Sequence, residues 1–196
     1  MGLHIKLYIL FAVIVSVFGK LYSLLMLYAK RMYPAIRQPE YIKLLGLLGM
    51  AYIISLTVTD LTGGGEQFLM QQAEGGNNNI YWIAGMMFLH MVFTVFSFSS
   101  GLPGGSFIPT LVTGGLTGKL YALILVQHGI VGMESVSYVM LIGMGAFLVA
   151  VVRTPITAII LITEITGHFE VFYPSIVVGG LTYYFTELLG IKPFNV

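Results

Sequence analysis

The sequence predicts an all-α integral membrane protein of tilted and broken transmembrane helices, on three observations. The 196 residues are 57% hydrophobic and only 9% charged, with a mean hydropathy of +0.92, against roughly 25% charged residues in a soluble domain. Long apolar runs recur along the chain, but Pro103 and Pro109, Arg153 and Pro155, and Gly167 break them. Several of the pieces are shorter than the about 20 residues that cross a roughly 30 Å hydrocarbon core. Short, Gly- and Pro-interrupted apolar segments are the mark of discontinuous helices around a buried binding site.

The first element is Leu7 to Ala29, apolar apart from Lys20 and scattered hydroxyls, and long enough to span. Lys20 is costly at mid-depth unless it snorkels or faces protein. Lys30 to Lys43 carries Lys30, Arg31, Arg37 and Lys43 against Glu40, and holds Pro34 and Pro39. It reads as a basic loop, cytoplasmic by the positive-inside rule. Lys43 to Val58 returns across the bilayer, with Gly46 and Gly49 spaced for close packing, and ends at Asp60. Between Thr62 and Asn79, glycine and asparagine turns bracket a short helix over Glu66–Gln72 at the far surface. Tyr81 to Phe98 is the next apolar run, with Trp82 placed as an interfacial anchor.

Phe107 to Val126 follows, holding Gly114, Gly115, Gly118 and Lys119, and Gly129 to Val136 is a loop. Tyr138 to Val151 is expected to cover about half to three-quarters of a span, and Ile156 to Ile165 less. Val171 to Leu189 is the last run, split by Pro174 and Gly179-Gly180, before Lys192-Pro193-Phe194-Asn195-Val196.

Composition excludes several functions. A net charge of +1 makes no basic patch for nucleic acid. With no cysteine, thiolate metal sites are excluded. His4, His90, His128 and His168 share no metal-ligand spacing, so no metal or other cofactor is expected. There is no HExxH, no pair of intramembrane aspartates and no Ser–His pair at workable spacing, so the chain is not read as an enzyme. The apolar run after the N-terminus is too long for a signal peptide, and no small-residue cleavage site follows it.

The most informative break is Gly101-Leu102-Pro103-Gly104-Gly105-Ser106-Phe107-Ile108-Pro109. Freed backbone groups at membrane depth need a partner. The stretch reads as a helix start that presents N–H groups to something negative. A helix N-terminus carries about half a positive charge and unpaired donors. It can therefore hold an anion without the grip of a full charge, as transport requires. The competing reading of such a break is a packing hinge. Arg153 reads as an anchor bonded to a carbonyl or a headgroup. Glu164 reads as a buried or interfacial structural acid, with proton relay as the lesser reading, and His90 as a hydrogen-bonded helix contact.

These residues carry a resemblance. Ser99-Ser100-Gly101-Leu102-Pro103-Gly104-Gly105-Ser106-Phe107-Ile108-Pro109 resembles the SSGxPGGxFxP motif of the CLC family of chloride channels and proton/chloride exchangers. Gly143-Met144-Gly145-Ala146-Phe147-Leu148, Arg153-Thr154-Pro155-Ile156-Thr157-Ala158-Ile159-Ile160-Leu161 and Thr163-Glu164-Ile165-Thr166 are similar to its GMGALLA and RxPLTxIILVxEMT blocks. Lys192-Pro193 matches a third motif, and all three fall in the family's order.

The resemblance implies one half, the second, of a CLC-type inverted-repeat fold over residues 1–196, with no soluble domain. It implies chloride transport, as a channel or a proton-coupled antiporter, with the anion held by backbone amides of Ser106 and Phe107, and by Ile108 beside them. Gly105 would permit the close approach, and Pro109 lies in the first turn, where no donor is needed. The family's anion-touching tyrosine falls at Asn195, a shorter donor. The family's gating glutamate and intracellular proton-transfer glutamate belong to the first half, and their motifs do not occur here.

The chain is therefore expected to be a fragment or truncated form of a multi-pass protein of a prokaryotic plasma (inner) membrane. The implied partners are chloride or a similar anion, the lipid bilayer, and a second copy through 154–165 and 171–189. The alternative is a truncated, non-transporting fragment or dimerisation partner.

Overall fold

A computed structural model describes residues 2–35, 39–57, 64–99 and 105–190. The helices, in chain order, are α1 (Gly2–Ala35), α2 (Glu40–Thr57), α3 (Glu66–Ala73), α4 (Ile80–Ser99), α5 (Phe107–Gln127), α6 (Ser135–Val152), α7 (Pro155–Thr166) and α8 (Phe172–Leu188). A 3₁₀ turn at Phe169–Val171 leads into α8. No strand occurs among the described residues. The all-α membrane class follows: α1, α4, α5 and α6 are each long and apolar enough to cross a bilayer.

Local chemistry explains most boundaries. The Asn79 side-chain oxygen accepts the N–H groups of Tyr81 (3.0 Å) and Trp82 (3.3 Å), satisfying donors that open α4. α6 ends where Arg153 turns left-handed at φ 66, and Pro155 then starts α7 at a position that needs no donor. Gly167, at φ 68, closes α7.

Three expectations are corrected. α6 is a helix of 18 residues, about 27 Å long and so nearly a full span; Ser135 to Ser137 join it because no proline or turn residue stops them. α8 is unbroken: Pro174 lies in its first turn, where the missing N–H costs nothing, and a Cβ at Gly179 would sit 3.3 Å from Ile159, so that glycine serves packing. The basic stretch is mostly helical, since α1 runs on to Ala35 and α2 begins at Glu40. Lys43, inside α2, reaches back to donate to Tyr33 O at 3.1 Å.

α1 packs along α8, α6 and α4 and meets α5 at a few points. Phe11 stacks on Tyr121 of α5, and Tyr121 Oη donates to Leu7 O at 2.9 Å. That contact fixes the late part of α5 beside the first turns of α1. α5 and α6 then pack through small residues. A Cβ at Gly114 would lie 2.6 Å from both Gly143 O and Phe147 Cβ, and one at Gly143 2.5 Å from Gly114 O. Gly118 meets the backbone at Val139 and Met140 in the same way. In lipid, where helices gain nothing from hiding apolar surface, such backbone approach is the main source of attraction.

Lys119 is fully buried in α5, and its ammonium donates to Gln72 O (2.8 Å) and Gln72 Oε1 (2.9 Å). Gln72 closes the short α3, so the cation meets the negative end of that helix. This contact ties α3 down onto α5.

Gly114→Leu forces the α5–α6 backbones apart and is expected to lower stability by about 2–3 kcal/mol or more. Gly46, with nothing within 4 Å of its added Cβ, is expected to accept the same change with little effect. Thermal unfolding in detergent compares the two directly.

Candidate functional site

The start of α5 meets α1 near the middle of its apolar span. Thr110, in the first turn of α5, donates its hydroxyl to Ser106 O at 2.6 Å. Its oxygen therefore accepts from Tyr22 Oη, 3.5 Å away. Tyr22 is buried, and its ring meets Phe147 edge-on, with centroids 5.6 Å apart. The apolar span of α1 runs from Ile5 to Tyr33, so Tyr22 stands near its middle.

The backbone at this helix start has donors to spare. Ser106 precedes α5 with helical angles (φ −81, ψ −5) and no side-chain capping bond. The N–H of Thr110 already bonds Ser106 O at 3.1 Å, and Pro109 has none. The N–H groups of Phe107 and Ile108 have no intrahelical partner, and no acceptor for them occurs among the described residues. Along the same helix Thr113 and Thr117 turn their hydroxyls back to Pro109 O (2.9 Å) and Thr113 O (2.8 Å), and so expose no further donor.

Two more helix ends meet α1 at the same height. A Cβ at Gly19 would lie 2.6 Å from Ala150 Cβ, so the end of α6 and the start of α7 are level with the centre of α1. α8 runs alongside α1: Ser16 Oγ contacts Thr182 O and Thr186 Oγ1, each at 3.3 Å, and Lys20 Nζ donates to Leu189 O at 3.2 Å. The α8 terminus is also held by Arg153, which donates to Thr186 O at 3.1 Å and pairs with Glu187. The expected carbonyl anchor for Arg153 is therefore Thr186 O.

The other predicted residues sort as follows. Ser106, Phe107, Ile108 and Pro109 are half-buried together at the α5 start. Gly105 is exposed, and nothing lies within 4 Å of an added Cβ. Within the described chain its glycine identity thus answers to no contact. Gly101 to Gly104 and Asn195 lie outside the described residues. His90 is a buried helix contact, its Nδ1 3.5 Å from Thr113 Oγ1. Glu164 is exposed on α7, not buried, because the buried face of that short helix belongs to Ala158, Ile159, Ile162 and Thr163. Trp82 packs against Phe68, ring centroids 5.7 Å apart. Sequence reasoning missed the partner of Lys20 and the burial of Lys119; a lysine inside an apolar run was the available signal.

The fold is that of a membrane protein whose broken helices meet α1 near the middle of its apolar span, with a helix start among them whose first N–H groups have no acceptor among the described residues. The family model described as voltage gated chloride channel matches residues 2–187, and the chain belongs to that family. The H(+)/Cl(-) exchange transporter ClcA of Vibrio cholerae is 31% identical over 196 residues, with 95% of this chain and 41% of that protein covered. ClcA of Cronobacter sakazakii is 30% identical over 195 residues, with the same coverage. The crystal structure of a slow cyanobacterial Cl⁻/H⁺ antiporter shares the fold, at a TM-score of 0.81 and 22% identity, over 97% of this chain and 45% of that one. The chain spans about two fifths of the length of the curated relatives it matches.

Arg153 combines a left-handed backbone with a side-chain clamp. Arg153→Ala keeps the strain and loses the clamp, and is expected to cost about 2 kcal/mol or more. Arg153→Gly loses the same contacts but is at ease at φ 66, and should recover about 1 kcal/mol of that. Ranking the two by detergent melting temperature checks the assignment.

Proposed function

We propose that the chain forms part of a chloride pathway, in which backbone N–H groups of Ser106, Phe107 and Ile108 hold the anion at the start of α5. The observation that carries this reading is a helix N-terminus beside the middle of α1 with two N–H groups that have no acceptor among the described residues. Such groups point at a ligand, and the helix dipole favours negative charge. Dipoles in place of a full cation let the anion leave again, which is what conduction or exchange needs. The relatives named ClcA are H(+)/Cl(-) exchange transporters. This supports anion movement as the family activity. Pro109 contributes no donor, and Asn195 is a candidate side-chain donor to the same anion.

The test is chloride efflux from liposomes reconstituted with the complete gene product. Chloride-dependent efflux supports the reading, and none above empty liposomes refutes it. Gly105→Trp is expected to suppress that flux strongly with only a small change in melting temperature, because Gly105 is exposed and an added Cβ there meets nothing within 4 Å among the described residues.

We also infer a homodimer through 154–165 and 171–189, in a prokaryotic inner membrane. α7 and α8 turn Ile156, Ile160, Tyr173, Ile176 and Leu188 outward, all large and apolar. The same face would serve a subunit that dimerises without carrying flux, and this face is the observation that favours such a second reading. Because the chain has no cysteine, Ile160→Cys supplies a single thiol. Oxidation in membranes should then give a band of twice the mass, and a band that stays monomeric counts against this interface.

A further inference from the structure

We propose that Lys20, together with Arg153, raises anion affinity by cancelling the negative end of α8, so that the positive start of α5 dominates the potential at mid-depth. This rests on the anion reading above.

The carbonyl groups at the end of α8 account for the arrangement. A helix C-terminus leaves four acceptors unpaired and carries about half a negative charge. Here Phe185 O is taken by Leu189 N–H at 3.0 Å and Glu187 O by Gly190 N–H at 2.9 Å. Thr186 O takes Arg153 Nη2, and Leu189 O takes Lys20 Nζ. Two full positive charges thus face one carboxylate, Glu187, and one helix end. The balance is positive.

Lys20 is not required by packing. Its neighbours Val17, Leu21 and Leu24 are exposed apolar residues on the outer side of α1, where leucine or isoleucine is the least costly choice. A lysine within an apolar span is costly, and its ammonium is committed to the end of α8. Glu187 is the counterpart: its side chain is 59% exposed, against 8% for Arg153.

The geometry gives the size of the effect. Lys20 and Tyr22 are two residues apart on α1, so their attachment points differ in height by about 3 Å and face opposite sides of the helix. The end of α8 and the start of α5 are therefore on the order of 20 Å apart, across α1 and the two side chains that reach them. At that distance and an effective dielectric constant near 20, one unit charge changes an anion equilibrium about fourfold.

The experiment is chloride binding by isothermal titration to the complete gene product, at constant ionic strength, with Lys20→Gln, Lys20→Arg and Glu187→Gln. Lys20→Gln is expected to weaken binding about fourfold, and Lys20→Arg to stay within about twofold of the parent. Glu187→Gln should tighten binding, by about twofold because solvent screens that carboxylate. The opposite signs are the discriminating readout, since a purely mechanical clamp on α8 would make both neutral variants weaker. Shifts of the same sign, or no shift in either variant, overturn the proposal while parental binding leaves the anion reading intact. Absence of chloride binding in the parent overturns the anion reading, and this inference with it.

Discussion

Every helix end inside a bilayer must satisfy its own backbone, because hydrocarbon offers no hydrogen bonds. That constraint organises this chain. α6 and α8 both finish beside residues 16–20 of α1. α6 turns left-handed at Arg153, whose N–H returns to Val149 O at 3.0 Å. α8 takes cations from two other helices. The start of α5 is treated differently: its first turn is anchored through Thr110, yet the donors of Phe107 and Ile108 face no acceptor among the described residues. The end of α8 thus takes donors from other helices, while the start of α5 keeps donors free.

Holding several ends at one height needs close and exact registry, and glycine supplies it. Gly114 and Gly118 on α5 touch the backbone of α6, and Gly19 on α1 admits Ala150. Each contact fixes the sliding of one helix along another to within a fraction of a turn. The hydroxyls of Ser16, Thr182 and Thr186 then pin α8 to α1. Lys119 does the same for α3, where eight residues would otherwise have little to hold them against α5.

Much of this was legible in the sequence, for identifiable reasons. Apolar runs bounded by glycine or proline gave the helices, since both residues act locally: Pro155 at a first turn and Gly167 at a last one fall at the boundaries expected. Proline also misled. Pro174 reads as a break in one dimension, but in the first turn of a helix it is harmless. The break before α5 pointed to an anion because the residue types there are poor helix formers flanked by good ones. What could not be read is tertiary. Nothing local says that Lys20 reaches a residue 169 positions away, or that Lys119 finds the end of α3. Periodicity shows that a lysine is out of place, and only packing shows what it answers.

The same reasoning explains why the architecture tolerates so much divergence. At 22% identity the fold remains superposable with that of a cyanobacterial antiporter, at a TM-score of 0.81. The positions this geometry constrains are few: small residues at helix crossings, a proline or a left-handed residue at each break, and a polar cap for each buried C-terminus. The lipid-facing positions between them need only be apolar. A site made of main-chain N–H groups adds almost nothing to that list, because Ser106, Phe107 and Ile108 present the same donors whatever their side chains. Selection on such a site acts through where the helix begins. That in turn depends on the contact between Thr110 and the middle of α1, so a small change in the register of α5 would move the donors more surely than any substitution among the residues that bear them.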